Sequence, residues 1–217
     1  VAFSARIGTD ESGKGDYFGP LVVAGVAVRD AADEAFLRRL GVRDSKKVSD
    51  GRAAALAAEV ERALPFARVV VGPARYNELY ARIGNLNRLL AWGHARVLED
   101  LLAKVPAIRL AVTDKFGDES RVAAALMPRG RAVELVQKVR AEEDPAVAAA
   151  SIVARAEFLR RLAQLSARAG FPLPKGASAS VEEAARRLAR EKGADALGAF
   201  VKLHFKTTSR LGLASSA

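Results

Sequence analysis

The 217-residue sequence contains no cysteine, which removes disulfides, thiolate metal sites, cysteine nucleophiles and redox switching together. Its only histidines are His94 and His204, too few for a histidine-rich zinc site. No uninterrupted apolar run approaches the ~18 residues that a membrane-spanning helix requires. The longest run, Leu21 to Val28, suits a buried strand. Val1 to Arg6 show no basic start followed by an apolar stretch, so no signal peptide is visible. Together with the missing cysteines, this leads us to expect a cytoplasmic protein with no membrane partner. Linkers, repeats and low-complexity blocks are also missing, apart from Ala214 to Ala217.

What is present describes a globule. Hydrophobic residues supply 50% of the chain and charged residues 28%, enough apolar mass for a core and too much for disorder, collagen or a coiled coil. The length suits one domain. The formal charge is +10, and it is uneven. Ser151 to Ala217 carry 12 basic and 5 acidic residues, whereas the rest carries 23 and 20. A chain this basic without a membrane anchor meets a polyanion, nucleic acid first.

Apolar periodicity places strands at Ala5 to Thr9, Leu21 to Val28, Arg68 to Val71, Arg109 to Thr113 and Ala132 to Val136. Helices fall at Asp50 to Leu64, Asn85 to Val105, Pro145 to Leu165 and Val181 to Lys192. That order predicts an α/β fold with a mixed five-stranded sheet flanked by helices and a helical C-terminal region. The basic helical part, about residues 151–210, would clamp a duplex.

The chemistry concentrates in Ile7-Gly8-Thr9-Asp10-Glu11-Ser12-Gly13-Lys14-Gly15-Asp16-Tyr17-Phe18-Gly19-Pro20. Gly8 to Lys14 match the first part of a phosphate-binding loop, but Gly15 stands where Ser or Thr should hold magnesium. Asp10 and Glu11 would also point negative charge at the phosphates. A dinucleotide fingerprint fails as well, since Gly13-Lys14-Gly15 is followed by Gly19 rather than by a glycine at 18. The carboxylates themselves make the better active element. Asp10 and Glu11 end the first strand, and neighbouring residues on a strand face opposite ways. Both would reach one cluster where the chain leaves the pleat, and the following glycines permit that.

Asp114 ends another apolar strand, and Glu142-Glu143-Asp144 follow the fifth. Asp144 before Pro145 reads as a helix cap, a reason that Glu142 and Glu143 lack. Glu142 is taken with Asp10, Glu11 and Asp114 as the fourth acid, and Glu143 or Asp144 stay open as its occupants. Four carboxylates without His or Cys select Mg2+ or Mn2+. Two such ions about 4 Å apart activate water and stabilise a leaving oxygen in phosphodiester cleavage.

The stretch Asp10 to Val23 resembles the active-site signature of the type 2 ribonuclease H family, in its ribonuclease HIII branch. Asp44-Ser45-Lys46-Lys47 is similar to that family's Asp-Ser-Lys element, and Asn85-Leu86-Asn87 through Leu90-Ala91-Trp92-Gly93-His94-Ala95 to a stretch characteristic of ribonuclease HIII. Ala141-Glu142 with Ala148 to Arg155, Leu173 to Ser178, and Leu203-His204-Phe205-Lys206 extend the likeness over the whole chain. The resemblance implies a ribonuclease H-like fold and divalent-metal hydrolysis of the RNA strand of RNA/DNA hybrids, with 5′-phosphate and 3′-hydroxyl products. It implies metal-binding catalytic acids at Asp10, Glu11, Asp114 and Glu142. Gly13, Lys14 and Gly15 would read ribose 2′-hydroxyls, the groups that separate RNA from DNA. Ser12, Ser45, Lys46, Asn85, Asn87 and Lys175 complete the expected substrate contacts. Residues Gly170 to Lys175 lack the Tyr by which the ribonuclease HII branch reads a single embedded ribonucleotide, so cleavage within ribonucleotide runs is expected over single-site incision or junction resolution. The family's usual N-terminal substrate-binding domain is expected to be absent, leaving one catalytic domain over residues 1–217 that acts as a monomer.

Other residues read more plainly. His94 suits a packed or surface histidine with a structural bond, and Trp92 the core. Ser151 sits among small residues that let a helix approach the sheet. His204, near Lys202, Lys206 and Arg210, suits phosphate contact as well as packing.

Overall fold

The structure, a computed structural model, describes residues 3–42, 48–114 and 123–212. The chain divides into two compact units. One comprises Val1–Ser12, Val22–Val69 and Asn85–Ala156, the other Gly13–Leu21, Val70–Gly84 and Glu157–Ala217.

The first unit is built on a mixed sheet of five strands: β1 (Arg6–Ser12), β2 (Leu21–Val28), β3 (Phe66–Val71), β4 (Leu110–Asp114) and β5 (Glu134–Lys138), in the order β3-β2-β1-β4-β5. β1 runs antiparallel to β2 and parallel to β4, and β4 is parallel to β5. Every residue of β2 is buried, the mark of a strand covered on both faces. Thr9 pairs in register with Thr113, and Thr113 with Gln137. Thr9, Glu11 and Thr113 therefore share one face, and Gly8, Asp10 and Asp114 share the other.

A helix backs each face at close range. On the Thr9 face lies α4 (Leu86–Lys104). A Cβ on Gly25 would stand 2.6 Å from Val97 Cγ1, and one on Gly93 2.8 Å from Val23 Cγ2, so the two glycines admit helix and strand to each other. On the opposite face lies α5 (Pro145–Ala169). A Cβ on Gly8 would stand 2.2 Å from the carbonyl carbon of Ala146 and 2.2 Å from the nitrogen of Val147. Backbone thus meets backbone where α5 crosses β1.

Strand β1 runs on to Ser12, with Asp10, Glu11 and Ser12 paired to Ala24, Val23 and Val22. The acids therefore sit within the pleat rather than after it, because β2 supplies a buried apolar partner at each of these positions. Helix α2 (Asp50–Ala63) falls where periodicity places it. Two further helices lie in stretches without apolar periodicity, α1 (Ala31–Leu40) and α3 (Pro73–Ile83). Their start signals are local: the Asp30 carboxylate accepts from the Ala32 and Asp33 N–H groups at 2.9 Å each, and Pro73 occupies the first helical turn.

In the second unit the Gly13–Leu21 segment is pinned by residues from the far end of the chain. The Tyr17 N–H donates to the Gly176 carbonyl (2.9 Å), the Gly19 N–H to that of Phe200 (3.0 Å) and the Lys202 N–H to that of Tyr17 (2.9 Å). The Lys202 ammonium donates to the carbonyls of Asp16 (2.7 Å) and Gly19 (2.8 Å). Lys202 is fully buried, so it fastens a loop and does not join Lys206 and Arg210 as a phosphate contact. Desolvation lowers its affinity for the proton to a pKa of about 7, against an opposing pull from Asp16. His204 packs as well, its ring stacked on Tyr80 with centroids 4.1 Å apart. Helices α6 (Ala179–Lys192) and α7 (Lys206–Arg210) complete this unit. Several of its basic groups hold acids: Arg160 and Arg161 pair with Glu157, Arg187 with Glu191, and Arg210 with Glu182. The exposed pairs are weak enough for a phosphate to displace.

Candidate active site

Asp10 is half-buried on the α5 face of β1. Its Oδ1 accepts the Glu11 N–H at 2.8 Å, and its carboxylate is hydrogen-bonded to Ser151 of α5. Burial, then the charges of Glu11 and Asp114, push the carboxyl up to about 7 against those two bonds. Two neighbouring acids therefore act on Asp10, although the three come from two strands and, for Asp10 and Glu11, from opposite faces of one. Ser151, read from the sequence as a spacer for helix packing, also holds a carboxylate. The small residues around it bring it there, since Gly8 lets α5 lie against β1.

Glu11 faces α4. The Nε2 of His94 lies 3.3 Å from its Oε2, and the Nδ1 of the same ring lies 2.9 Å from the Thr9 hydroxyl and 3.5 Å from that of Thr113. The ring is 1% exposed. Sequence reasoning missed this role: the signal is the Gly93-His94 pair, whose glycine lets the helix approach closely enough for the ring to touch the strand. Trp92, expected in the core, is instead 38% exposed, because α4 turns Gly93, His94 and Val97 toward the sheet and leaves position 92 outward.

Asp114 closes β4 and accepts the Ala141 N–H at 3.4 Å, which places the 3₁₀ turn Ala141–Glu143 beside it. Within that turn Glu142 is half-buried and Glu143 exposed. Asp144 is committed elsewhere: it caps α5 through the Ala146 N–H at 2.9 Å and pairs with Arg6 at 2.7 Å. It is thereby removed from the candidates for a fourth acid. The charges that act on Asp10 are those of Glu11 and Asp114; the turn that carries Glu142 is linked to these acids through the Ala141 N–H, which donates to Asp114.

The expected substrate contacts separate between the units. Ser12 ends β1. Asn85 caps α4, its Oδ1 accepting the Arg88 N–H at 3.1 Å, and Asn87 lies half-buried in the first turn. Ser45 and Lys46 lie outside the described residues. In the second unit Gly13, Lys14 and Gly15 open the pinned loop, and exposed Lys175 precedes Gly176, which holds Asp16 and Tyr17. The two glycines differ. Gly13 has φ +89° and a Cβ there would strike the Pro20 carbonyl, so the loop itself requires it. A Cβ on Gly15 would meet nothing within 4 Å.

Among the described residues no group of three or more acidic or histidine side chains stands in metal-holding geometry. The chemistry of the set nonetheless fits a hard divalent cation. The donors are carboxylate oxygens only, and the repulsion that Glu11 and Asp114 add to burial in raising the Asp10 pKa is relieved by positive charge.

The chain as a whole is similar to known proteins. The model of the family described as Ribonuclease HII matches residues 7–208. The chain is 44% identical over 207 residues to a ribonuclease HIII of Protochlamydia amoebophila (95% of this chain, 68% of that protein) and 42% identical over 203 residues to one of Chlamydia abortus (93% and 68%). Its structure is similar to the crystal structure of Bst-RNase HIII in complex with Mn2+, with a TM-score of 0.88 and 35% identity over 99% of this chain and 71% of that one.

Proposed function

We propose, for a chain that belongs to the ribonuclease HII family and is a metal-dependent ribonuclease H endonuclease, that Asp10, Glu11, Asp114 and Glu142 hold its divalent ions. On this reading the substrate is the RNA strand of an RNA/DNA hybrid, cut within ribonucleotide runs to leave 5′-phosphate and 3′-hydroxyl ends. The observation that carries it is the placement of Asp10 and Glu11 on β1 beside Asp114 on the adjacent parallel strand β4, near enough for both neighbours to act on Asp10. Residues 1–217 act as one catalytic domain, a cytoplasmic monomer. Among the described residues no helix is long and apolar enough to cross a membrane.

Bound Mg2+ or Mn2+ supplies an activated water and charge stabilisation at the leaving oxygen. The protein supplies orientation. Ser151 and the Glu11 N–H orient the Asp10 carboxyl, and the turn at Ala141 orients Asp114. Open space over Gly15 lets its backbone approach a ribose, and Lys14 beside it supplies positive charge for the phosphates. Phe171 is buried beneath the Arg187 guanidinium, 4.1 Å from ring centroid to Cζ, which fits the absence of a ring for reading one isolated ribonucleotide.

A labelled panel of long hybrid, duplex with one embedded ribonucleotide, and all-DNA duplex tests the reading, with each metal in turn. Cleavage of the long hybrid alone is expected, and cutting of all-DNA duplex or of the single-ribonucleotide site in preference would overturn it. On the long hybrid, Glu142→Gln is expected to slow turnover by roughly a hundredfold. A loss below about threefold would move the fourth ligand to Glu143, its neighbour in the same turn.

Gly15→Ala isolates the substrate contact. It is expected to raise KM for hybrid about tenfold, the equivalent of ~1.4 kcal/mol, with the melting temperature unchanged because the added methyl meets no protein atom. An unchanged KM in a steady-state assay would remove Gly15 from the binding surface.

A further inference from the structure

We propose that His94 is the positioning residue for Glu11, rather than a core histidine that happens to lie near it; the inference rests on the metal-holding role of Glu11 proposed above. Asp10 and Glu11 are consecutive, so the pleat sends them to opposite faces, and each carboxylate needs its own support. On one face α5 provides it for Asp10 through Ser151. On the other face α4 provides it for Glu11 through His94.

The arrangement of protons follows from the partners. A carboxylate only accepts, so the bond to Glu11 places a proton on His94 Nε2. In the neutral ring Nδ1 is then an acceptor, and the Thr9 hydroxyl, 2.9 Å away, donates to it. Thr113 stands beside Thr9 in the parallel register and reaches the same nitrogen at 3.5 Å. A hydroxyl, an imidazole and a carboxylate thus form a short relay of bonds from the sheet to the cluster. Ordered partners of this kind fix the direction of a metal-holding oxygen and its affinity for the ion. The close approach needed for the relay comes from Gly25 and Gly93, both of which would clash if they carried a Cβ.

The test compares His94→Leu, His94→Gln and Glu11→Gln in the full chain, measuring Mn2+ binding without substrate by electron paramagnetic resonance, alongside kcat and KM on hybrid. His94→Leu removes the donor and is expected to weaken Mn2+ binding about tenfold, lowering kcat with KM unchanged. His94→Gln keeps an N–H near the Nε2 position and is expected to recover most of both. On the Glu11→Gln background His94→Leu is expected to add no further loss, because it acts through the carboxylate already removed.

Equal losses for Leu and Gln, or additive losses on the Glu11→Gln background, would overturn the role. If Glu11→Gln weakens Mn2+ binding while His94→Leu is silent, His94 alone fails. If Glu11→Gln binds Mn2+ as the parent does, the metal assignment fails first. Should His94→Leu not fold, Thr9→Val carries the question: it frees Nδ1 and is expected to weaken Mn2+ binding, and no change would refute the relay.

Discussion

Asp10→Asn is expected to lower the rate of hybrid cleavage by on the order of a thousandfold, ~4 kcal/mol of barrier, while making the metal-free protein more stable above pH 7. The second half follows from the raised proton affinity of this carboxyl. The ordinary value is 3.8 and the folded one about 7, so the folded state binds the proton more readily than the unfolded chain. The corresponding stability is complete below about pH 4 and is lost as the pH rises through about 7. At pH 8 the parent carries an unneutralised charge between Glu11 and Asp114, and the amide does not. Each kcal/mol relieved raises the melting temperature by about 2–4 °C in a chain of this size. Thermal melts at pH 5 and pH 8 should show the variant's advantage at the higher pH only. Added Mn2+ should raise the parent's melting temperature more than the variant's, since only the parent binds it tightly. Unreduced turnover, or an advantage identical at both pH values, would contradict the assignment.

Gly8→Ala should cost about 3 kcal/mol or more of stability, at the upper end of overpacking. The new methyl would sit 2.2 Å from main-chain atoms of Ala146 and Val147, and main chain in the first turn of a helix has no rotamer by which to retreat. The helix must therefore withdraw, and Ser151 withdraws with it, so activity should fall beyond the loss of folded protein. Urea denaturation beside kcat measured under folded conditions checks both statements. Gly15→Ala is the internal control, with no expected change in denaturation midpoint. A Gly8→Ala protein as stable as the parent would mean that α5 does not lie against β1 as described.

The parts of this molecule that were readable in the sequence are those where one local cause dominates. β2 is apolar at all eight positions and is bounded by Pro20 and Arg29, so its limits coincide with the expected ones. The acids at 10, 11 and 114 stand out because charge at the end of an apolar strand needs a reason. β1 was harder, since Asp10, Glu11 and Ser12 look like a turn and are kept in the ladder only by partners from β2. Helices α1 and α3 lack an apolar stripe, and only Asp30 and Pro73 announce them. The roles of His94, Trp92 and Lys202 depend on how a helix is rotated or what a distant segment covers, and neither is written in local spacing. The competition among Glu142, Glu143 and Asp144 needed geometry too, because it turns on Arg6, well over a hundred residues away in the chain.

The fastening of residues 13–21 by Lys202 has a consequence for biosynthesis. The segment leaves the ribosome well before the side chain and carbonyls that secure it, since Lys202 follows Asp16 by 186 residues. A nascent polypeptide can assemble its strands but cannot lock this loop until position 202 has been made. By the same logic, a protease that clips the chain ahead of position 202 would unfasten a segment far upstream of the cut without touching it.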